Sequence, residues 1–316
     1  MATWVFAEEA NGVLNPGALE LVTKARTFGE VNVFYLGNGS DGSFAALGDH
    51  GASAIYHLDA GEALPSGSAA AALAALISQD APTLVMFGSG TTDRDVAGRV
   101  SARMDLPVLS NALDVSVEGG VSTVSEILGG TLSITTSTTT EGPTLVTTRP
   151  KAFAAEPNGG STPTVTTVDV PEAGRAGAAQ ITERHVETSE GPDLESASVV
   201  VTGGRGLGGE DKFAMMDELA GLLNGAVGGT RAVVDAGWVP YSYQIGQTGK
   251  TVKPNVYIAC GVSGAMQHVV GMKGSNTIIA INKDPDAPIF GIADLGVVGD
   301  VHSVVPQLVD ALKART

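Results

Sequence analysis

Three glycine- and hydroxyl-rich loops in the last third of the chain hold the residues whose types and spacing could do chemistry. Ser198-Val199-Val200-Val201-Thr202 runs into Gly203-Gly204-Arg205-Gly206-Leu207-Gly208-Gly209. Val256-Tyr257-Ile258-Ala259 runs into Cys260-Gly261-Val262-Ser263-Gly264-Ala265-Met266-Gln267-His268, and between the two lies Gly246-Gln247-Thr248-Gly249-Lys250. Strands that open into such loops at the start of helices gather unpaired backbone N–H groups and a positive helix end at one point. Several anion sites of this kind in one small domain imply a large, phosphate-bearing cofactor, so this part of the chain reads as a nucleotide binder.

The individual motifs narrow the chemistry. Gly204-x-Gly206-x-x-Gly209 has the form of a dinucleotide fingerprint and Asp235 the place of a ribose-binding acid, which alone would suggest an NAD(P)-dependent dehydrogenase. Arg205 inside the turn argues for a side-chain phosphate contact instead of a purely backbone one. Arg231 precedes Ala232-Val233-Val234-Asp235, read as a strand; it either faces a ligand or forms a rim salt bridge with Asp235 or Glu210. Gly246 to Lys250 resembles half a P-loop but lacks its spacing, which disfavours a mononucleotide ATPase, while Gln247 and Thr248 suit ring heteroatoms. His268 reads either as a ligand contact or as a satisfied structural residue. His50, His57, His185, His268 and His302 show no metal-ligand spacing, so no metal site is expected, and no Gly-x-Ser-x-Gly elbow is present. Asn282-Lys283-Asp284-Pro285 and Asp300 each follow a strand, at the carboxyl ends where open α/β sheets bind ligands.

These residues must be positioned by α/β elements. Strands are expected near 198–202, 232–235, 256–259, 277–282 and 296–298, with helices near 211–224, 264–272 and 303–314, giving a doubly wound parallel sheet. The N-terminal half begins as another α/β alternation, with strands at 4–6, 31–36 and 83–87. Its helices are expected at 15–28, 66–77 and 93–104. From 115 to 148, short Thr-rich runs broken by glycine pairs read as antiparallel hairpins. A polar, turn-rich stretch at 187–195 marks a boundary between domains 1–190 and 191–316.

With 316 residues, 43% of them hydrophobic, the chain can bury two domain cores. A formal charge of −16 and a pI near 4.6 oppose binding to nucleic acid or anionic membranes. A single cysteine, Cys260, excludes an internal disulfide. The N-terminus has no signal-peptide pattern and no apolar run spans a bilayer, so a cytoplasmic location is expected.

Taken together, Gly203 to Gly206, Thr230-Arg231, Val234 to Gly237, Gly246 to Lys250, Ser263 to His268 and Ala280 to Pro285 resemble the α subunit of electron transfer flavoprotein. The likeness is dense from about 198 to 316 and weaker before it, where Asp93 to Ala97 contributes. It implies an electron carrier without substrate turnover of its own: a heterodimer with a β subunit, holding FAD in the C-terminal domain. Electrons would arrive singly from flavoprotein dehydrogenases such as the acyl-CoA dehydrogenases of fatty acid β-oxidation. They would leave to a membrane-bound electron transfer flavoprotein-quinone oxidoreductase. Carried over by position, Arg205, Thr230 and Ser263 would serve the phosphates, and Asn282 and Asp300 the adenosine half. Gln247 and Thr248 would approach the isoalloxazine, Arg231 its face, and His268 its N1 and C2 carbonyl. The resemblance also places Gln244, Ile245, Gly246, Gly264, Ala265, Met266, Gln267, Lys283 and Val301 at the cofactor.

Overall fold

The computed structural model describes residues 2–10, 12–61, 64–130, 132–160, 162–169, 174, 179–183 and 192–315. The chain divides into two compact units, Met1–Arg184 and His185–Thr316. The expected boundary at 190/191 lies outside the described residues.

The first unit's strands are Thr3–Ala10 (β1), Val13–Leu14 (β2), Val31–Leu36 (β3), Ala54–Leu58 (β4), Leu84–Phe87 (β5), Val108–Ala112 (β6), Asp114–Ser116 (β7), Ser122–Ile127 (β8), Leu132–Ser137 (β9), Thr144–Thr148 (β10) and Thr164–Thr167 (β11). Successive side chains on a strand point to opposite faces. Val5, Ala7, Val33 and Tyr35 therefore join one core, and Trp4, Phe6, Phe34 and Leu36 the other. A sheet buried on both faces is parallel as a rule, and here the order β11-β4-β3-β1-β5-β10-β6 is parallel throughout. Helices Gly17–Ala25 (α1) and Asp41–His50 (α2) cover the first face with Leu21, Val22 and Leu47. Pro65–Asp80 (α3) and Thr91–Met104 (α4) cover the second with Leu73, Ile77, Val96 and Val100.

The hairpin expectation holds for only part of its span. β7, β8 and β9 do form a three-stranded antiparallel sheet. β10, however, is inserted between β5 and β6 of the parallel sheet and is buried along its length. Its threonines enter that interior because a hydroxyl can be satisfied there: Thr148 Oγ1 donates to the Phe87 carbonyl at 3.1 Å.

In the second unit the strands are Val199–Gly203 (β12), Ala226–Thr230 (β13), Gln244–Ile245 (β14), Val256–Cys260 (β15), Thr277–Asn282 (β16) and Leu295–Val298 (β17). They pair in parallel in the order β14-β13-β12-β15-β16-β17. Val200, Tyr257 and Ala259 face one core; Val201, Ile258 and Cys260 face the other. The helices are Ala214–Leu222 (α5), Arg231–Val234 (α6), Met266–Val269 (α7) and Val301–Lys313 (α8).

The strand expected at 232–235 is a helix, α6, and the strand lies just before it as β13. Sequence preference pointed the wrong way because β13 contains Gly228 and Gly229. Packing explains both glycines. A Cβ at Gly228 would sit 2.4 Å from Ile245 Cδ1, and one at Gly229 would sit 2.9 Å from Val239 Cγ2. Arg231 thus opens a helix and Asp235 follows it, so neither lies on a strand. The expected helix at 264–272 shortens to α7, four residues long.

Where the first sheet's strand order reverses, between β1 and β5, Asp93 is buried at the start of α4. Its carboxylate accepts from the N–H of Gly88 at 2.9 Å and of Gly90 at 3.0 Å. Burial, aided by the nearby Glu8 charge, pushes its pKa up from 3.8 to about 6. Between those values the folded form binds more protons than the unfolded chain. The group's contribution is therefore complete below its ordinary pKa and is lost as pH rises through about 6. At 1.36 kcal/mol per pH unit this amounts to about 2–3 kcal/mol. Hydrogen exchange of β1 and β5 should show wild type losing that much stability relative to Asp93→Asn as pH is raised from about 4 to above about 6; parallel profiles would contradict it.

Candidate functional site

The second sheet reverses its strand order between β12 and β15, the place where open α/β sheets form ligand crevices at their carboxyl ends. The two loops leaving those strands press together backbone to backbone. Gly204 N donates to Cys260 O, Gly206 N to Gly261 O, and Gly261 N to Ile281 O, each at 2.9 Å. A Cβ at Gly206 would lie 2.7 Å from Gly261 Cα and from its carbonyl oxygen, so a side chain there would force the loops apart. Gly261 adopts φ +64°, the left-handed conformation that glycine takes without strain.

Above these loops opens a cleft of about 620 Å3. Of the residues expected at the cofactor, it is lined by Arg205, Thr230, Arg231, Ile245, Gly246, Gln247, Thr248, Ser263, Ala265, Gln267, His268 and Asn282. Gln244, Gly264, Met266, Lys283, Asp300 and Val301 do not line it. Gln244 stands behind the cleft, its Nε2 donating to Thr248 Oγ1 at 3.0 Å, which leaves the threonine's own hydroxyl proton to donate elsewhere. A Cβ at Gly264 would meet Ile289 N at 2.3 Å. Met266 and Lys283 are exposed, and Val301 is buried in the core beneath α8. Asp300 caps α8, accepting from His302 N at 3.0 Å. Asp235, Asp284, Ala287 and Pro288 also line the cleft. Asp235 is legible in the sequence as an acid in the ribose-binding place, whereas the other three carry only their placement after a predicted strand.

Charges in the cleft are arranged unevenly. Arg231 Nε pairs with Asp235 Oδ2 at 3.2 Å, with both side chains about two-thirds exposed, so the rim salt bridge is present and its worth is small. Lys250 does not line the cleft; its ammonium pairs with Asp193 at 3.0 Å. The P-loop likeness therefore ends at the backbone, where Lys250 closes the Gly246–Gly249 turn through Gly246 N to Lys250 O and Lys250 N to Gln244 O. Tyr241 holds the same turn from outside by donating its hydroxyl to the Thr248 carbonyl.

His268 is 6% exposed and bonded at both ring nitrogens: Nδ1 lies 3.0 Å from Ile245 O and Nε2 lies 2.8 Å from the Tyr257 hydroxyl. Burial pushes its pKa down to about 4. Of the two readings of this residue, the satisfied one describes its bonding, although the ring still reaches the cleft wall. It adds no positive charge there at neutral pH.

The donor set fits a dinucleotide bearing a flat heterocycle. Arg205 and Arg231 supply guanidinium groups, Thr230 and Ser263 supply hydroxyls, and Gln247 and Thr248 supply neutral polar groups. Among the described residues, no backbone hydrogen bond outside the regular elements takes the N–H of Val262, Ser263 or Ala265, three cleft-lining amides. Comparison with known proteins assigns the family. Residues 193–273 match the electron transfer flavoprotein FAD-binding domain, and residues 3–173 match the electron transfer flavoprotein domain. The chain belongs to the electron transfer flavoprotein α subunits. The α subunit of Mycobacterium leprae (strain TN) is 42% identical over 318 residues, with 98% of each chain covered. That of Thermoanaerobacterium thermosaccharolyticum is 37% identical over 325 residues, covering 98% of this chain and 97% of the other. The mitochondrial α subunit of Arabidopsis thaliana is 35% identical over 334 residues, covering 100% and 90%. Electron transfer flavoproteins are electron carriers, not enzymes, and an α subunit implies a β subunit as its partner. Among the described residues, no helix is long and apolar enough to cross a membrane.

Forcing apart the two loops should disable the cleft without touching a ligand-facing side chain. Gly206→Ala is expected to lower the stability of the second unit by about 1–3 kcal/mol, the usual range for overpacking. It should also reduce retained FAD, read as flavin absorbance per protein after gel filtration. Wild-type stability and full flavin content in the variant would refute the role given to this contact.

Proposed function

We propose that this chain carries the FAD of a heterodimeric electron transfer flavoprotein in the cytoplasm. In this reading it accepts electrons one at a time from flavoprotein dehydrogenases, such as acyl-CoA dehydrogenases, and delivers them to a membrane quinone oxidoreductase. The supporting observation is the cleft at the β12/β15 reversal, which joins Arg205, Ser263, Thr230, Gln247 and Thr248 in one lining. FAD, when bound, supplies one-electron redox chemistry. Arg205, Thr230 and Ser263 are assigned to its phosphates, Asn282 to the adenosine half, and Gln247, Thr248 and Arg231 to the isoalloxazine. Gln244 orients the Thr248 hydroxyl, and the Ala287-Pro288 side of the cleft helps to exclude water.

A nicotinamide-dependent dehydrogenase built on Gly204, Gly206 and Gly209 is disfavoured by the loop's own bonding. The N–H groups of Gly204, Gly206, Leu207 and Gly208 all donate to backbone carbonyls within the protein. A dinucleotide fingerprint works by offering such groups to a pyrophosphate.

The hairpin of β8 and β9 is assigned to the contact with the β subunit. β9 is exposed along its whole length and forms an edge of its small sheet among the described residues. Leu132 is 52% and Ile134 39% exposed on it, with Ile127 and Leu128 exposed beside them. Edges and apolar patches of this kind are normally covered.

Two experiments test these assignments. Co-purified with its β subunit, the chain should show a flavin spectrum that bleaches on addition of an acyl-CoA and its dehydrogenase. Arg205→Ala should weaken FAD about 10–100-fold, the loss of one charge-assisted hydrogen bond. A colourless complex that stays colourless with added FAD, or that turns over NAD(P)H, would reject the reading. Separately, Leu132→Glu combined with Ile134→Glu should split the heterodimer in sedimentation velocity. An intact heterodimer at micromolar concentration would remove the hairpin from the interface.

A further inference from the structure

His268 sits beneath the Gly246–Gly249 turn with both ring nitrogens engaged by groups that differ in what they can do. Ile245 O can only accept, so the nitrogen 3.0 Å from it, Nδ1, carries a hydrogen. Nε2 lies 2.8 Å from the Tyr257 hydroxyl, which can donate or accept. The environment decides between these. Tyr257 is 0% exposed and packs from β15, with its ring tilted at 53° to the imidazole. Ile245 comes from β14. The Thr202 hydroxyl stands on the same face of the sheet as the phenol, on the neighbouring strand β12, and the Cys260 thiol on the opposite face. Both are wholly buried, and Thr202 lacks a partner at full hydrogen-bonding geometry yet acts on the phenol. The two ring nitrogens of His268 are bonded to the Tyr257 hydroxyl and the Ile245 carbonyl, neither of them a carboxylate or a cation. Burial outweighs the one contact that favours an imidazolium, the bond to Ile245 O, so the ring is neutral, Nε2 presents a lone pair, and the phenol is the donor. Burial holds the phenol's own pKa well above its ordinary value, so it keeps its proton.

We propose that Tyr257 is a positioning residue. By donating to Nε2 while Ile245 O takes the Nδ1 hydrogen, it locks His268 as the neutral Nδ1–H tautomer and fixes the ring at the cleft wall. The cleft then receives an oriented dipole from this position instead of a titrating charge, and the cationic groups facing a ligand are Arg205 and Arg231. The role of the histidine toward a flavin rests on the function proposed above, whereas its tautomer and tethering do not.

The test uses the heterodimer with 15N-histidine label in this chain, both FAD-loaded and FAD-stripped. His268 is assigned by loss of its signals in His268→Gln. Long-range 1H–15N spectra from pH 5.5 to 8 are expected to show a protonated-type Nδ1 and a hydrogen-bonded, unprotonated-type Nε2, unchanged by pH or by FAD. Tyr257→Phe should shift Nε2 downfield, towards a free lone pair. In the loaded heterodimer it should also move the first reduction midpoint, which a merely space-filling tyrosine would leave in place. A doubly protonated ring at pH 7, an unprotonated Nδ1, or an Nε2 signal indifferent to Tyr257→Phe would overturn the proposal. If that variant fails to fold, the wild-type spectrum decides alone. A heterodimer that takes up no FAD but shows the expected tautomer would leave this inference standing and reject the proposed function instead.

Discussion

The second unit depends on two backbones approaching each other more closely than any side chain allows. Gly204 and Gly206 lie against Gly261, tied by N–H to carbonyl bonds of 2.9 Å across the point where the strand order reverses. With those loops joined, β12 and β15 deliver Arg205 and Ser263 to the same cleft. The glycines thus act by bringing loops together, not by exposing their own N–H groups. Remaining donors come from Val262 to Ala265 and from side chains, which suits a cofactor held at several scattered points.

The first unit offers a useful contrast, since its sheet also reverses strand order, between β1 and β5. There the N–H groups of Gly88 and Gly90 bind the carboxylate of Asp93 from the same chain. An anion is supplied internally, and burial raises its pKa to about 6. In the second unit the loop amides Val262, Ser263 and Ala265 have no such occupant among the described residues. Two crevices of similar topology therefore differ in whether the protein fills its own anion site.

The sequence made the parallel sheets legible because Val31–Leu36, Leu84–Phe87 and Val256–Cys260 are apolar runs without alternation, and such runs are buried on both faces. It misplaced β13 because Gly228 and Gly229 lower strand preference while Val233 and Val234 raise it. The choice is made by Ile245 and Val239, the side chains that Gly228 and Gly229 pack against and that lie further along the chain. The location of β10 was hidden for a similar reason, since threonines suit an exposed hairpin and a hydroxyl-satisfied interior equally. In the site, Arg205, Gln247, Thr248 and Ser263 were recognisable from loop context. The buried bonding of His268 was not, because its partners Tyr257 and Ile245 come from two other strands. Nor was the diversion of Lys250 to Asp193, a contact spanning 57 residues.

The central claim is that ligand binding is localised to the cleft at the β12/β15 reversal. Hydrogen–deuterium exchange of the heterodimer, compared with and without FAD, tests it most directly. The account predicts strong slowing in peptides covering 204–206, 246–248 and 262–265, with the Gly88–Gly90 loop unchanged. Equal protection in both units, or protection confined to the first, would contradict it.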